Sequence, residues 1–460
     1  RSSRVTGVHV RLREWQEAGP ETPGLRGTDL GGRDARALAA RLSDAGVLEV
    51  VEMREGVHVR ALAHVGRIQL GDIRITVEPK IGTSELLALI RYAYGLRNLR
   101  LFEETGFAHT GELLQDLLAA QLLAEVTELT ARGLAKRYVP RSEELASPRG
   151  SIDFGEIARR GPAASSTLPC RHHLRLLDHH LNRVARAGVE LAGGIAQDSG
   201  LRRSLRRLGA RLGAEVDEVR LSVESLGRAR REVNRLTASY LPSLQLTELL
   251  YSCAAVSLDG DATTALPGFL FDMNRFFQAL VGRFLADHLL GFEVCEEHAL
   301  TDMMRYLPGQ NPRRRRAPIP RPDFVVKRGK STVCLLDAKY RDLWERDLPR
   351  DMLYQLAIYA LSQPRPSTAT ILFPTASVGA TSSVVEIRDP TGSGVLGYVE
   401  LRPVVLPELV GALTGSDGDR KALAARLAFG QSLVTVVDLP SPRHTRAVPS
   451  IRLPSDPRRA

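Results

Sequence analysis

Arg321-Pro322-Asp323-Phe324-Val325-Val326 and Val333-Cys334-Leu335-Leu336-Asp337-Ala338-Lys339-Tyr340 are two segments that we predict to form the strands of one β-hairpin. Their apolar residues favour strands, and a polar, glycine-containing turn at residues 327–330 separates them. Because side chains alternate along a strand, Asp337 and Lys339 should point to the same face, with Asp323 at the outer end of the neighbouring strand. Two carboxylates and one ammonium group are therefore expected to converge.

This set of side chains suits metal-dependent cleavage of a phosphodiester. Mg²⁺ prefers oxygen ligands and often takes only one or two protein carboxylates, so Asp323 and Asp337 are its predicted ligands. The metal would polarise the phosphate and lower the pKa of a bound water, while Lys339 would orient that water or offset charge on the phosphate oxygens. A strand ending in Asp-x-Lys is also common as a solvated ion pair, and that alternative stays open.

Three further features favour an active site over a surface ion pair. The apolar run before Asp337 indicates a buried central strand, and only six of the 63 basic residues are lysine, which makes Lys339 an uncommon choice. A helix is predicted from Asp351 to Leu361, with Asp351, Gln355 and Tyr359 on one stripe. That stripe could support the site or contact a phosphate backbone.

The motifs resemble a known nuclease superfamily. Pro322-Asp323, Asp337-Ala338-Lys339 and Gln355-x-x-x-Tyr359 are similar to the PD-(D/E)xK nucleases, in the branch with a glutamine and tyrosine helix after the core. The order of the remaining segments resembles the McrC-like nuclease subunits of McrBC-type modification-dependent (type IV) restriction systems. The supporting segments are Val77-Glu78-Pro79-Lys80-Ile81, Pro148-Arg149-Gly150-Ser151-Ile152-Asp153-Phe154, Leu181-Asn182-Arg183 and Phe271-Asp272-Met273-Asn274-Arg275-Phe276-Phe277.

The resemblance implies a function and a partner. It implies a DNA endonuclease that uses Mg²⁺, with Mn²⁺ able to replace it, and whose catalytic residues are Asp323, Asp337, Lys339, Gln355 and Tyr359. It also implies a phage-defence role beside an McrB-like AAA+ GTPase hexamer, which would carry the reader of modified bases. The chain would dock through its region before about Gly150 and stimulate GTP hydrolysis.

One departure from the superfamily concerns the helix before the core. A glutamate is usual there, whereas the corresponding turn reads Arg275-Phe276-Phe277-Gln278-Ala279, and the amide of Gln278 carries no charge. Glu293, Glu296 and Glu297 follow and could compensate, or they could be solvated surface groups. This departure supports an alternative function, a non-catalytic adaptor that binds DNA and activates the motor. A stand-alone RecB-like repair nuclease is a second alternative.

Charge favours a polyanionic partner such as double-stranded DNA. The net charge is +10 and the pI is about 9.7, and basic residues placed along phosphates release condensed counterions. Arg313, Arg314, Arg315, Arg316 and Arg321 lead into the first catalytic strand and are predicted to contact the DNA backbone. The alternative is a solvated loop. We find no base-reading motif.

Other classes of protein are disfavoured. Cys170, Cys253, Cys295 and Cys334 show no C-x-x-C spacing, so we expect free thiols in a reducing cytoplasm. No apolar run approaches a membrane span, and the start lacks the apolar core of a secretory signal. The chain has no phosphate-binding loop of the G-x-x-x-x-G-K-S/T type, so we expect it to bind no nucleotide.

Four histidines near Cys170 lack the spacing of structural zinc ligands. His172, His173, His179 and His180 are predicted to lie on an amphipathic helix whose leucines, Leu174, Leu177 and Leu181, face a core.

The expected fold is α/β (α+β) and multidomain. Residues 1–110 are predicted to form a β-rich domain that docks on the partner, with a hairpin across residues 68–77; residues 111–255 should be mainly helical. Residues 256–440 should form the restriction-endonuclease-like α/β core, with a helix at Met273–His288, a strand at Thr370–Phe373 and a last strand at Val434–Leu439. Residues 441–460 are expected to be a mobile tail. In the middle region, one helix should bury Leu114, Leu118, Leu122, Val126 and Leu129, and Asp259-Gly260-Asp261 should end the helical part.

Overall fold

The computed structural model describes residues 7–96, 114–160, 166–255, 268–301, 303–363, 367–392, 394–414 and 420–434. The fold is mixed α/β, with several sheets and helices. The chain divides into an N-terminal unit, Arg1–Phe276, and a C-terminal unit, Phe277–Ala460. No helix of the described ranges is long and apolar enough to cross a membrane.

Two small sheets and one helix form the first part of the N-terminal unit. The strands are β1 (Val8–Arg13), β2 (Glu17–Ala18), β3 (Leu48–Met53), β4 (Gly56–Ala61), β5 (His64–Leu70), β6 (Ile73–Glu78) and β10 (Gly268–Asp272), and the helix is α1 (Arg33–Asp44). A four-stranded sheet has the order β1-β6-β5-β10, in which β1 and β6 are parallel and the other neighbours antiparallel. An antiparallel sheet has the order β2-β4-β3.

One apolar core unites these elements. Alternate residues of β5 and β6 are buried, among them Ile68, Leu70, Ile73 and Ile75, which confirms the predicted hairpin. Gly66 lies between two partner strands at a φ of 135°, and a side chain there would meet the carbonyl oxygen of Phe269. The close approach of β10 therefore requires glycine at this position.

Helices dominate the rest of the N-terminal unit. They are α2 (Thr83–Ala93), α3 (Leu114–Arg132), α4 (Phe154–Arg160), α5 (His180–Ile195), α6 (Ser199–Gly213), α7 (Val223–Glu232), a 3₁₀ turn (Ala238–Tyr240) and α8 (Leu241–Ala255). The five apolar residues predicted to form the buried stripe of α3 are all buried, which confirms that helix.

The helical prediction was wrong for His172 and His173, which lie on a strand, and right for His180, the first residue of α5. Residues 137–176 contain an antiparallel sheet of order β7-β9-β8, with β7 (Arg137–Leu145), β8 (Ser151–Ile152) and β9 (Leu168–Leu176). Cys170 and His172 are buried whereas Arg171 and His173 are exposed, the two-residue alternation of a strand. His179 precedes α5 and binds the carbonyl of Ala135.

The C-terminal unit contains a six-stranded mixed sheet. Its strands are β11 (Glu293–Glu296), β12 (Phe324–Arg328), β13 (Ser331–Ala338), β14 (Thr368–Thr375), β15 (Ser383–Arg388) and β16 (Val395–Val405). They are arranged in the order β11-β12-β13-β14-β16-β15. β12 is antiparallel to both β11 and β13; β13, β14 and β16 are parallel, and β15 is antiparallel to β16. The helices are α9 (Met273–His288), which begins four residues before this unit, α10 (Arg350–Leu361), α11 (Leu406–Thr414) and α12 (Arg420–Ser432).

Several predicted elements of this unit are confirmed. The hairpin of β12 and β13, the helix Met273–His288, the helix α10 and a strand across Thr370–Phe373 are all present. Gly329 adopts a φ of 61° in the hairpin turn. The predicted break at 259–261, the last five residues of the strand predicted at Val434–Leu439 and the tail at 441–460 lie outside the described residues; Val434 itself lies in a turn.

Candidate active site

The two aspartates lie beside the same end of neighbouring strands. Phe324 pairs with Leu336 and Val325 with Leu335. On its other side β13 pairs with the parallel strand β14, so Asp337 sits on an interior strand and is only 1% exposed. Asp323 immediately precedes β12 and is half-buried.

A backbone hydrogen bond fixes the carboxylate of Asp323. The amide N–H of Ala338 donates to its Oδ2 at 2.8 Å, which holds it beside the peptide that follows Asp337. Burial, together with the negative charge of Asp337, raises the pKa of Asp323 to about 6. Two carboxyl groups therefore share a poorly solvated space.

Lys339 is the neighbouring cation. Its Nζ lies 3.0 Å from Oδ2 of Asp337, and its backbone N–H donates to the carbonyl of Leu372. Burial opposes the ammonium charge, but the carboxylates of Asp337 and Asp323 outweigh that effect and raise the pKa of Lys339. Despite this contact, neither oxygen of Asp337 accepts a hydrogen bond of good geometry from the described residues.

Such unsatisfied carboxylate oxygens fit a cation site. Buried polar atoms are normally hydrogen-bonded. A buried carboxylate therefore requires an explanation when its Oδ1 has no donor and its Oδ2 meets the Lys339 ammonium in poor hydrogen-bond geometry. Asp323, Asp337 and Lys339 together carry one excess negative charge when all three are ionised. Among the described residues no group of three or more His, Cys, Asp or Glu is arranged to hold a metal. A cation here would therefore take two carboxylates and complete its shell with water, as Mg²⁺ commonly does.

Helix α10 supports the strand that carries Asp323. The amide of Gln355 donates to the Tyr359 hydroxyl at 2.8 Å, and that hydroxyl donates to the carbonyl of Arg321 at 2.9 Å. Burial raises the pKa of Tyr359, which keeps the phenol protonated as a donor. Gln355 and Tyr359 thus reach the site through the backbone before Asp323, whereas Asp351 on the same stripe is exposed.

Gln278 lies on α9 and is half-buried. One turn later, a side chain at Gly282 would meet the carboxylate of Glu296 and the ring of Phe324, so this side of the helix faces β11 and β12. No hydrogen bond joins Gln278 to either aspartate within the described residues.

Of the three glutamates, Glu297 is nearest to Asp323 along the backbone. Its N–H donates to the Asp323 carbonyl at 2.9 Å, and its φ is 47°. Glu293 and Glu296 lie on β11, where Glu296 pairs with Phe324. Because Asp323 is one residue from Phe324, strand alternation directs Glu296 away from the Asp323 side.

The arginine run lies on an exposed turn. Asn311 holds this turn, since its side chain accepts from the N–H of Arg315 and donates to the Arg315 carbonyl. The side chains of Arg313 to Arg316 and of Arg321 are exposed and form no ion pair with the described residues. The hydrogen bond from the Leu300 N–H to the Pro320 carbonyl closes the base of the loop.

Sequence reasoning missed Asp342. Its Oδ1 accepts from the N–H groups of Trp344 and Glu345, and its Oδ2 accepts from the Thr375 hydroxyl at 3.1 Å. This buried carboxylate ties the loop after Lys339 to the end of β14. Its position three residues after Lys339 was the available signal. Its partner Thr375 lies 33 residues after Asp342, so no local pattern could identify this contact.

Comparison with known proteins gives the chain a family. The family model described as McrBC 5-methylcytosine restriction system component matches residues 59–374. No curated protein sequence matches the chain.

One solved structure shares the fold, and a second gives a weaker match. The first is a chain of a refined half-complex from a tetradecameric assembly of Thermococcus gammatolerans McrB AAA+ hexamers with bound McrC. It has a TM-score of 0.59 at 18% identity and covers 93% of this chain and 99% of that one. A chain of the Thermococcus gammatolerans McrBC complex gives a TM-score of 0.46 at 18% identity, over 61% of this chain and 88% of that one. The family model spans more than half of the sequence, and the chain belongs to the family of McrBC 5-methylcytosine restriction system components.

Proposed function

We propose that the chain is the Mg²⁺-dependent DNA endonuclease subunit of its restriction system. The observation that carries this proposal is the meeting of Asp323, Asp337 and Lys339 at one end of a buried hairpin, where Oδ1 of Asp337 has no hydrogen-bond donor among the described residues and Oδ2 faces the Lys339 ammonium at 3.0 Å. A structural ion pair would be expected to satisfy those oxygens. The arrangement is instead typical of a cation-binding site.

Asp323 and Asp337 would hold the metal. When bound, Mg²⁺ supplies a Lewis acid for the phosphate and lowers the pKa of coordinated water. The side chain of Lys339 is 28% exposed, so its ammonium can reach substrate and orient the attacking water or offset charge on the scissile phosphate. Tyr359 and Gln355 act as positioning residues, because they hold the Arg321 carbonyl and thereby the segment that ends in Asp323.

The partner in this proposal is an AAA+ GTPase. The solved assembly that shares this fold contains McrB AAA+ hexamers with bound McrC. We place motor function and recognition of modified cytosine on that partner, because this sequence has neither a phosphate-binding loop nor a base-reading motif. The N-terminal region before about Gly150 is the proposed docking part, and stimulation of GTP hydrolysis is part of the proposal.

Gln278 favours a second candidate function, a DNA-binding adaptor that activates the motor without cutting. The expected glutamate is absent from α9, and Glu296 points away from the Asp323 side. Glu297 lies opposite Asp323. The nuclease function requires no third carboxylate, since two suffice for Mg²⁺. Membership in a restriction-system family argues against a stand-alone repair nuclease.

Plasmid cleavage decides between these functions. Wild type and Asp337→Ala would be compared with Mg²⁺, alone and with the AAA+ partner and GTP, on methylated and unmethylated DNA. Cleavage that needs the partner and is absent in the variant supports the endonuclease. If the complete wild-type complex cuts neither DNA but GTP hydrolysis is still stimulated, the adaptor function is correct.

A further inference from the structure

Helix α6 has an unusual charge distribution. Its sequence, Ser199–Gly213, contains five arginines and no acidic residue. Leu201, Leu205, Leu208 and Leu212 are buried and pack the helix into the N-terminal unit. Four of the arginines, Arg203, Arg206, Arg207 and Arg211, are exposed on the side away from these leucines; we call these four residues the arginine stripe.

The stripe places like charges next to one another. Arg203, Arg207 and Arg211 follow at intervals of four residues and so neighbour each other on the helix surface. Like charges in this arrangement destabilise an isolated helix. The fifth arginine, Arg202, instead donates to the carbonyl of Ala196. The four stripe arginines form no ion pair with the described residues.

Carboxylates near α6 are already engaged. Glu190 packs against Gly209 of α6, but its carboxylate binds Arg186, which also binds Glu218. Asp217 lies within ion-pair distance of Arg183. These three acids therefore pair with Arg183 and Arg186 and not with the stripe.

Other helices of the chain pair their arginines. Ion pairs one turn apart occur on α3, α4, α5, α7 and α9, where the pairs are Arg132–Glu128, Arg159–Glu156, Arg186–Glu190, Arg228–Glu232 and Arg283–Asp287. General use of arginine across the chain thus does not account for α6. Its surface differs because the helix carries no carboxylate of its own to pair with its arginines.

We propose that the arginine stripe is a second DNA-backbone contact, on the N-terminal unit and built separately from the nuclease residues. Arg203 to Arg211 spans about 12 Å of helix axis, over which duplex DNA presents about seven phosphate charges. Guanidinium groups bind phosphates bidentately. The inference rests on the proposed function in one respect: the substrate is double-stranded DNA.

The test measures binding and not cleavage. Arg203→Gln, Arg207→Gln and Arg211→Gln would be combined in an Asp337→Asn chain, and its affinity for a DNA duplex measured in EDTA from about 0.05 to 0.3 M salt. Each phosphate contact releases about 0.9 counterion, so the loss of three contacts should reduce the slope of log affinity against log salt concentration by about 2.7. Affinity at about 0.15 M salt should fall on the order of 100-fold. The matching Arg→Lys triple should keep most of the slope, because it retains the charges.

A charge-matched control removes three arginines that are paired with glutamate. Arg36→Gln, Arg60→Gln and Arg228→Gln change the net charge equally, but their partners Glu52, Glu49 and Glu232 already neutralise them. This control should lose little of the slope. Circular dichroism and thermal unfolding of every variant would separate misfolding from a loss of binding.

Each outcome is decisive. Equal salt slopes for the stripe and control triples would overturn the inference. If the stripe triple binds DNA as wild type does but no longer stimulates the AAA+ partner, the stripe is a protein contact instead. Failure of wild type to cut DNA would refute the endonuclease but leave this binding test valid.

Discussion

Asp337 differs from a structural carboxylate at the scale of single residues. It is almost fully buried, the Lys339 ammonium lies 3.0 Å from its Oδ2, and its Oδ1 has no hydrogen-bond donor among the described residues. Asp342 in the same unit is also buried, but backbone N–H groups and the Thr375 hydroxyl satisfy it. The two aspartates therefore form a matched pair for separating function from stability.

Asp337→Asn should abolish DNA cleavage without loss of stability. In EDTA its melting temperature should equal or exceed that of wild type, because one of two adjacent buried negative charges is removed. Mg²⁺ should raise the melting temperature of wild type alone, and cleavage by the variant should fall at least about 100-fold. Asp342→Asn is the control and should lower the melting temperature. A variant at Asp337 that is less stable than wild type and still cuts would contradict the cation site.

The raised pKa of Asp323 predicts how stability depends on pH. Because this pKa rises from its ordinary value of 3.8 to about 6, the folded metal-free protein holds the proton more tightly than the unfolded chain does. The free energy of unfolding should therefore decrease as pH rises from about 4 to 6. Two pKa units correspond to about 3 kcal/mol, and we expect about 1 kcal/mol because Asp323 is only half-buried and solvent screens it.

Urea unfolding in EDTA at about pH 4.5 and pH 7 measures this difference. Asp323→Asn is the control and should show a smaller change with pH than wild type. Mg²⁺ should produce the opposite trend, since protonation of Asp323 competes with the cation as pH falls through about 6. Equal pH dependence in wild type and variant would show that Asp323 does not titrate as described.

At the scale of elements, α10 matters through one hydroxyl. Tyr359 links the helix to the Arg321 carbonyl, two residues before Asp323, and receives a hydrogen bond from Gln355. The loop before β12 thus takes its position from a helix that follows it in sequence. This is an indirect role, which a conservative substitution can reveal.

Tyr359→Phe should lower cleavage about tenfold, because small displacements of a catalytic group are costly. It should also destabilise the protein by about 1–2 kcal/mol through the unsatisfied Arg321 carbonyl. Single-turnover cleavage and urea unfolding measure the two effects. Tyr354→Phe removes a hydroxyl from the exposed side of the same helix and should change neither. Full activity of Tyr359→Phe would exclude the positioning role.

The turn at Arg313 to Arg316 is a second element with a testable role. Changing all four arginines to glutamine should reduce the salt slope of duplex binding by about 0.9 for each phosphate that these arginines neutralise. Asn311→Ala keeps the charges but removes the hydrogen bonds that hold the turn, so it should affect affinity more than the slope. If the slope of the fourfold variant equals that of wild type, the run is a solvated loop.

At the scale of the whole molecule, cutting and partner stimulation should be separable. The proposed nuclease residues belong to the C-terminal unit, whereas the proposed docking region lies in the N-terminal unit. Because Asp337 is buried, its side chain cannot contact a partner protein directly.

Asp337→Asn should therefore retain stimulation of GTP hydrolysis by the AAA+ partner, within about twofold of wild type, while plasmid cleavage disappears. Steady-state GTP hydrolysis with DNA present measures this. Loss of both activities together in a folded variant would show that the site and the motor are coupled.

Local patterns in the sequence determined the hairpin, α3, α9, α10 and the convergence of Asp323, Asp337 and Lys339 on one end of two strands. These features follow from alternation and helical periodicity, which depend only on neighbouring residues. Residues 170–176 show the limit of such patterns, since the spacing of Leu174, Leu177 and Leu181 suited a helix while pairing with β7 made a strand. Long-range pairing outweighed local propensity there.

Tertiary structure alone decided which groups complete the site and which are left unsatisfied. The bond from Ala338 to Asp323, the Tyr359 contact with Arg321 and the Asp342 contact with Thr375 join residues 15, 38 and 33 positions apart. The unsatisfied Oδ1 of Asp337 depends likewise on what packs nearby, and so do the arginines of α6 that form no ion pair with the described residues. Hydrogen-bond satisfaction and charge pairing are properties of three-dimensional neighbours, so no pattern of adjacent residues could supply them.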